Sequence, residues 1–513
     1  MKYSKAKETV TLGARVTIED IIAVARFGAK VEFSEEYISR VEKSRALVEK
    51  WTGDGRAMYG VTTGFGSLCT KAISGAEAEQ LQHNIIMSHS TSVGTPFSEE
   101  ETRAVLFMIL QNLGQGYSGV RVAILEQYRQ FLNLGITPWA PKEGSVGYLS
   151  PEAHMARVIV GEGKAWYKGE LMEAADALTA AGLKPLPLSF KEGLALVSGT
   201  TSVTAMAALA LYDMIKAAVS ADIIAAFSLE ASNGLISAFD DRVMRVRPHK
   251  EQRATADNIR NILEGSEVIE KAAGTHIQDA LSLRCVPQLH GAAKKTLYDA
   301  LTTIETEMNS CCDNPIIWTG DGEETVISAC NPDSSYVGIE MDSASIAATN
   351  LAKMSERRNN RLIDETLSGY PSFLISNPGL NSGLMIPQYT QAGLLNDMRI
   401  LSTSATIDNT PTCGNQEDYV AMGYNASKKA IAVCEKLEYI LAIELLSSFE
   451  TQGVKLNDFR RSPVTEDVFD EIGKNVPLMK EDTFLYPYIE YLRDLIHSGR
   501  LADIVQKKLG ELN

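Results

Sequence analysis

Residues 194–229 read LALVSGTTSVTAMAALALYDMIKAAVSADIIAAFSL, and this stretch decides the fold. It is rich in alanine, leucine, methionine and isoleucine and holds few breakers. Such a run predicts helix, and its small side chains predict that long helices pack closely. Working outward, a second long helical stretch runs from about residue 342 through Ser355-Glu-Arg-Arg358 to 362. A third runs from about 426 to 449. Ser98-Glu-Glu-Glu101 has the spacing of a capping box and precedes the apolar run Val105–Leu110, so a buried helix is expected to start there. Helices apolar over so much of their circumference suit a multi-helix bundle whose outer faces other subunits cover. Residues 1–115 differ. They carry glycine-punctuated loops (59–66, then Ser74-Gly75) and short β-branched runs at 9–12 and 16–18. The expected organisation is a smaller mixed α/β lobe over 1–115, feeding a helical body over 116–513 that ends in a C-terminal helical region.

Composition narrows the function. The 513 residues carry 49 Lys+Arg against 65 Asp+Glu, a net charge of −16, with 45% hydrophobic and 22% charged residues. That is an ordinary globular balance, and its acidity argues against a nucleic-acid or anionic-membrane binder. Clean apolar runs such as 205–212 stop short of the roughly 18–20 residues a membrane span needs. The opening MKYSKAKETVTLG has basic residues without an apolar core behind them, so no secretory signal is expected. The seven cysteines are odd in number and lack CxxC spacing, as reduced thiols of a cytoplasmic protein would be. The seven histidines show no paired spacing, so no metal is expected.

Four segments concentrate polar chemistry. Tyr59-Gly-Val-Thr-Thr-Gly-Phe-Gly66 is a glycine loop entered by a tyrosine; no Lys-Ser/Thr follows, which rejects a nucleotide P-loop. Gly144-Ser-Val-Gly147 is a second loop. Gln278-Asp-Ala-Leu-Ser-Leu-Arg-Cys285 sets Arg284 in a mostly uncharged neighbourhood, where either a substrate carboxylate or an internal acid would partner it. Asn415-Gln-Glu-Asp418 clusters amides and carboxylates.

Taken together, the ordered motifs YGVTTGFG, SH, GYSGVR, GSVG, PxAHMA, GT, QDxxSLRCxPQ, DNP, SERR, GLNSG and NQED give far more. From roughly residue 10 to 430 the chain resembles the aromatic amino acid ammonia-lyase family, most closely its histidine ammonia-lyases. The resemblance implies a mainly α, elongated helical bundle with a smaller N-terminal lobe. It also implies a homotetramer with shared active sites and no external cofactor. Tyr59 matches the family's base for the Cβ proton, and Arg284 the residue that grips the substrate carboxylate. His89 matches a position favouring polar rings, and Glu417 an acid associated with imidazole substrates. Gln278, Asn415 and Gln416 belong to the same matched motifs.

The resemblance also implies an electrophilic methylidene-imidazolone formed from an internal Ala-Ser-Gly after GSVG. Here Gly147 is followed by Tyr148, and no such triad is spelled. The family asparagine before Gly-Thr is Ser198, the tyrosine of the QDxYS motif is Leu281, and GNFH becomes Cys330-Asn-Pro-Asp333. Because these electrophile-facing positions change together, the expectation is a lyase without the prosthetic group, resembling the family's ergothionases. It would remove trimethylamine from a histidine-derived betaine, taking ergothioneine to thiourocanate. A quaternary nitrogen leaves without activation; Tyr148 would face it, and Asp333 would supply counter-charge. Two alternatives stand beside this. One is a histidine or aromatic ammonia-lyase whose triad has become a modified residue that one-letter code does not carry. The other is an inactive, lyase-like binding protein.

Overall fold

The computed structural model describes residues 7–54, 58, 59, 62–64, 66, 73, 77–454 and 458–512. Parts of the glycine loop (60, 61 and 65), the Ser74-Gly75 loop and Cys69 lie outside the described residues. The chain is mostly helical, as the long alanine-rich runs require.

The helix Thr201–Ala231 is the axis of the molecule, with every residue buried. Around it pack Val286–Met308, Ser335–Ile363 and Gly423–Val454. The two later helices begin and end beyond the limits expected from sequence, because tertiary packing extends a helix past its most apolar core. Ser98 caps the helix Glu99–Leu113 as expected: its Oγ accepts from the Glu101 N–H at 3.2 Å, and the Glu101 carboxylate accepts from the Ser98 N–H at 2.7 Å.

The alanine-rich run is broken near its start. The helix Glu192–Val197 stops at Ser198, whose backbone is extended, and Gly199 turns with φ +108°. A Cβ on Gly199 would stand 2.8 Å from the Asn112 amide nitrogen, so glycine alone fits that turn. The stretch Glu192–Ala231 is nonetheless long and apolar enough to cross a membrane by length and composition, unlike the shorter runs expected from sequence. Its most apolar window is wholly buried within the bundle.

Several charges inside the bundle are paired. Arg358, from the SERR motif, is fully buried and holds Glu444 through two nitrogens at 2.5 and 2.8 Å, while Ser228 donates to the same carboxylate. Asp222 accepts from His290 at 2.8 Å, Lys294 at 2.5 Å and Asn258 at 2.9 Å. Burial opposes ionisation of Asp222, but Lys294 and His290 outweigh it and hold the carboxyl below its ordinary range.

Strands are short and peripheral. Thr9–Leu12 pairs in parallel with Lys30–Phe33, while residues 16–18, the other β-branched run, lead into the helix Ile18–Ala25. Val93–Pro96 pairs antiparallel with Pro141–Glu143 and so brings the segment after His89 beside the Gly144–Gly147 loop. The six described cysteines are free thiols. Large apolar side chains stand exposed on the outer helices, among them Tyr336 at 75%, Ile339 at 58% and Tyr389 at 67%.

Candidate active site

A cavity of about 370 Å³ opens where six segments of the chain converge. Its lining includes Tyr59, Gly66, Tyr148, Leu194, Ser198, Asn314, Cys330, Gln416 and Glu417.

Tyr59 is half-buried, and its phenol oxygen accepts from the Gly66 N–H at 2.8 Å. A backbone donor aimed at that oxygen stabilises negative charge on it, which suits a tyrosine that must accept a proton. Gly66 has φ +57°, and a Cβ there would stand 2.6 Å from the Cys413 sulfur. The tyrosine loop is thereby packed directly onto the turn that carries Gln416 and Glu417.

That turn is tight. Cys413, Gly414 and Asn415 all have positive φ, and the Thr412 N–H donates to the Glu417 carbonyl at 2.8 Å. The Thr412 hydroxyl donates to Glu417 Oε2, also at 2.8 Å. Tyr148 lies beside Glu417 within hydrogen-bonding reach. Burial pushes the Tyr148 phenol well above its ordinary pKa, and the charges of Glu417, Cys330 and Asp333 push it the same way. The hydroxyl therefore stays protonated. Burial likewise raises the Cys330 thiol, with Asp333 and Glu417 adding to the effect. His89 ends the helix Ala78–His89. Burial lowers its pKa, while the Ile85 carbonyl and the charge of Glu417 partly restore it.

The structure thus gathers Tyr59, Tyr148, Ser198, Gln416 and Glu417 around one cavity, with His89 and Asp333 within electrostatic range. Asp333 also accepts from the Ser335 N–H at 2.9 Å at the start of a long helix. Asn415 shares the Glu417 turn but is exposed. Arg284, Gln278 and Leu281 do not line the cavity. They sit on and before the short helix Leu281–Arg284, where Leu281 is 60% exposed. Arg284 Nε donates to the Asp279 carbonyl at 2.9 Å, and among the described residues no carboxylate pairs with its guanidinium. Sequence reasoning missed Thr412 and Asn314 as supports. Asn314, of the DNP motif, accepts from the Ala329 N–H at 2.8 Å and so holds the wall that carries Cys330. Ligating atoms of Asp213, Glu438 and His497 lie within 4.8 Å of one another elsewhere, but Arg26, Lys216 and Arg493 already neutralise the two acids.

A family model described as aromatic amino acid lyase matches residues 16–474. The chain belongs to the aromatic amino acid lyase family. It is 41% identical over 509 residues to histidine ammonia-lyase 1 of Fusobacterium nucleatum, covering 98% of each chain. It superposes on the crystal structure of histidine ammonia-lyase from Trypanosoma cruzi with a TM-score of 0.91, at 33% identity over 97% of this chain and 95% of that one. Ergothionase of Treponema denticola, in complex with desmethyl-ergothioneine sulfonic acid, is similar in fold, with a TM-score of 0.89. It shares only 26% identity over 96% of this chain and 99% of that one.

These likenesses correct two expectations. The trimethylamine-releasing reading, ergothioneine to thiourocanate, is overturned: end to end, the chain is far more similar to a histidine ammonia-lyase than to the ergothionase. The changed residues around Tyr148 are local and do not outweigh likeness along the whole chain. The roles of Tyr148 and Asp333 toward a quaternary nitrogen fall with it. The expectation of no prosthetic group falls too, since loss of ammonia from an ordinary amine is the chemistry for which the family resemblance implies the electrophile. The residues present do not fit that group, however. Gly147 is joined directly to Tyr148, whose carbonyl accepts from Ser145 Oγ at 3.2 Å, and no Ala-Ser-Gly intervenes. The side chains around the cavity are the groups that remain to bind the substrate and move its proton.

Proposed function

We propose that this lyase acts on histidine, eliminating ammonia to leave the conjugated imidazole acrylate. Likeness to a histidine ammonia-lyase over nearly the full length of both chains carries the reading. Tyr59, charge-stabilised by the Gly66 N–H, takes the Cβ proton; general-base assistance of this kind contributes roughly 10²–10⁴-fold. Glu417 accepts from the ring N–H, and His89 lies on the same side. Ser198 and Gln416 supply polar contacts along the wall.

The substrate carboxylate goes to Arg284 of another copy of the chain. Two observations support this: Arg284 does not line the cavity of its own chain, and large apolar side chains stand exposed on the surface. The assembly we propose is a cytoplasmic homotetramer with shared sites.

Incubation with histidine, following the ultraviolet band of the acrylate together with ammonia, tests the reaction. Equal release of both is expected, and turnover of the trimethylated betaine in preference to histidine would overturn the reading. Mixing Tyr59→Phe chains with Arg284→Gln chains tests the shared site. Each alone is inactive, and co-assembled mixtures are expected to recover a measurable fraction of wild-type kcat.

A further inference from the structure

The chain bends sharply on both sides of Tyr148. Gly147 has φ +148°, and a Cβ there would stand 2.8 Å from Ser334 Oγ. Leu149 has φ +82°, an unusual conformation for a leucine. Strain of this kind persists only where surrounding contacts impose it. Here they do: the Leu149 N–H donates to the Val197 carbonyl at 2.9 Å, and the Tyr148 carbonyl accepts from the Ser150 N–H at 3.2 Å and from Ser145 Oγ. The turn is pinned from three sides, and its side chain lines the cavity against Glu417.

From this arrangement we infer that Tyr148 is a specificity-determining residue, which orients the Glu417 carboxylate to receive a ring N–H from the substrate. A carboxylate offers about four acceptor positions. Thr412 takes one on Oε2, and Tyr148, which lines the same cavity with its hydroxyl within hydrogen-bonding reach of Glu417, is placed to take another. Neutral hydroxyls hold the group without neutralising it, and Glu417 lines the cavity. No Lys or Arg lines the cavity among the described residues. An imidazole supplies the missing N–H. A phenyl ring would leave a charged acceptor desolvated and unpaired, and sites built around such an acceptor reject the donor-less analogue strongly. Tyr148 acts here through Glu417 and is a positioning residue.

The inference rests on the proposed use of the cavity for an imidazole-bearing amino acid. Its test is calorimetric binding of 3-(imidazol-4-yl)propanoate and 3-phenylpropanoate to the full-length wild type and to Tyr148→Phe, Glu417→Gln and the double variant. The expected result is that Tyr148→Phe weakens the imidazole acid about tenfold or more, as loss of a hydrogen bond to a charged group does. The phenyl acid should change less than twofold. In the Glu417→Gln background the same replacement should have little further effect, because its route of action is gone. Equal weakening of both acids, no change in either, or additive effects in the double variant would overturn the inference while leaving the histidine reading intact. A wild type that does not prefer the imidazole acid would overturn both. Should Tyr148→Phe unfold, Thr412→Val provides the same selectivity readout from the other donor.

Discussion

Two ion-paired acids of the bundle interior and the acids of the cavity are held in opposite ways. In the bundle, Glu444 meets Arg358, and Asp222 meets Lys294 and His290. In the cavity, Glu417 and Asp333 act on Cys330 and Tyr148, and the donor bonded to Glu417 is the neutral Thr412 hydroxyl. A buried charge paired within its own chain serves the fold. A charge held by neutral donors in an open cavity remains available to a ligand, and the difference separates structure from recognition within one molecule.

The largest effect should come from the cavity. Tyr59→Phe removes the proton acceptor but not the ring contacts. The expected loss in kcat is about 10²–10⁴-fold, with calorimetric affinity for imidazolepropanoate kept within about threefold. Comparable losses in both would collapse the distinction between catalysis and binding.

In the bundle, Glu444→Gln should leave Arg358 buried without its counter-charge, at a cost of about 3–5 kcal/mol by denaturant unfolding, with no selective effect on ligand preference. A cost under about 1 kcal/mol would show that the pair is not needed to neutralise the interior.

Glu450 sharpens the comparison, because it is a bundle acid without a cationic partner among the described residues. It is 1% exposed, and its carboxylate receives only the Met479 N–H, at 3.2 Å to either oxygen. Burial raises its pKa to about 7, partly opposed by that backbone donor. A carboxyl whose folded pKa lies above the unfolded one stabilises the fold fully at low pH. The contribution then falls as pH rises from about 4.5 towards 7. Wild type should therefore lose about 3 kcal/mol of its unfolding free energy between pH 5 and pH 8 from this group. Glu450→Gln should remove that slope, and an unchanged slope in the variant would assign the pH dependence elsewhere.

The smallest effect belongs to neither region. Ser98→Ala deletes a helix cap and should cost about 1 kcal/mol with no change in binding.

The long helices were legible because alanine-rich, breaker-poor runs admit few other structures, and the capping box at Ser98 marked a boundary outright. The break at Ser198–Thr200 was not legible. It depends on Asn112, which is remote in sequence yet leaves no room for a side chain on Gly199. Of the site, Tyr59, Tyr148 and Glu417 line one cavity. Arg284 lies outside that cavity, because the spacing of a motif does not encode which distant loops meet. The substrate was misjudged for a related reason. Tyr148, Ser198, Leu281 and Cys330–Asp333 are departures from the family pattern, and read as a group they pointed to different chemistry. Their identities alone do not tell whether a side chain recognises a ligand, holds a neighbour or fills space; the packing around Tyr148 was needed for that.

The contact between Gly66 and Cys413 couples two halves of the machinery mechanically. No methyl group fits between them, so the loop that carries Tyr59 and the turn that carries Glu417 share a single seam. A side chain added at Gly66 would press on both at once. A molecule too bulky for that seam would spoil reactivity and selectivity together.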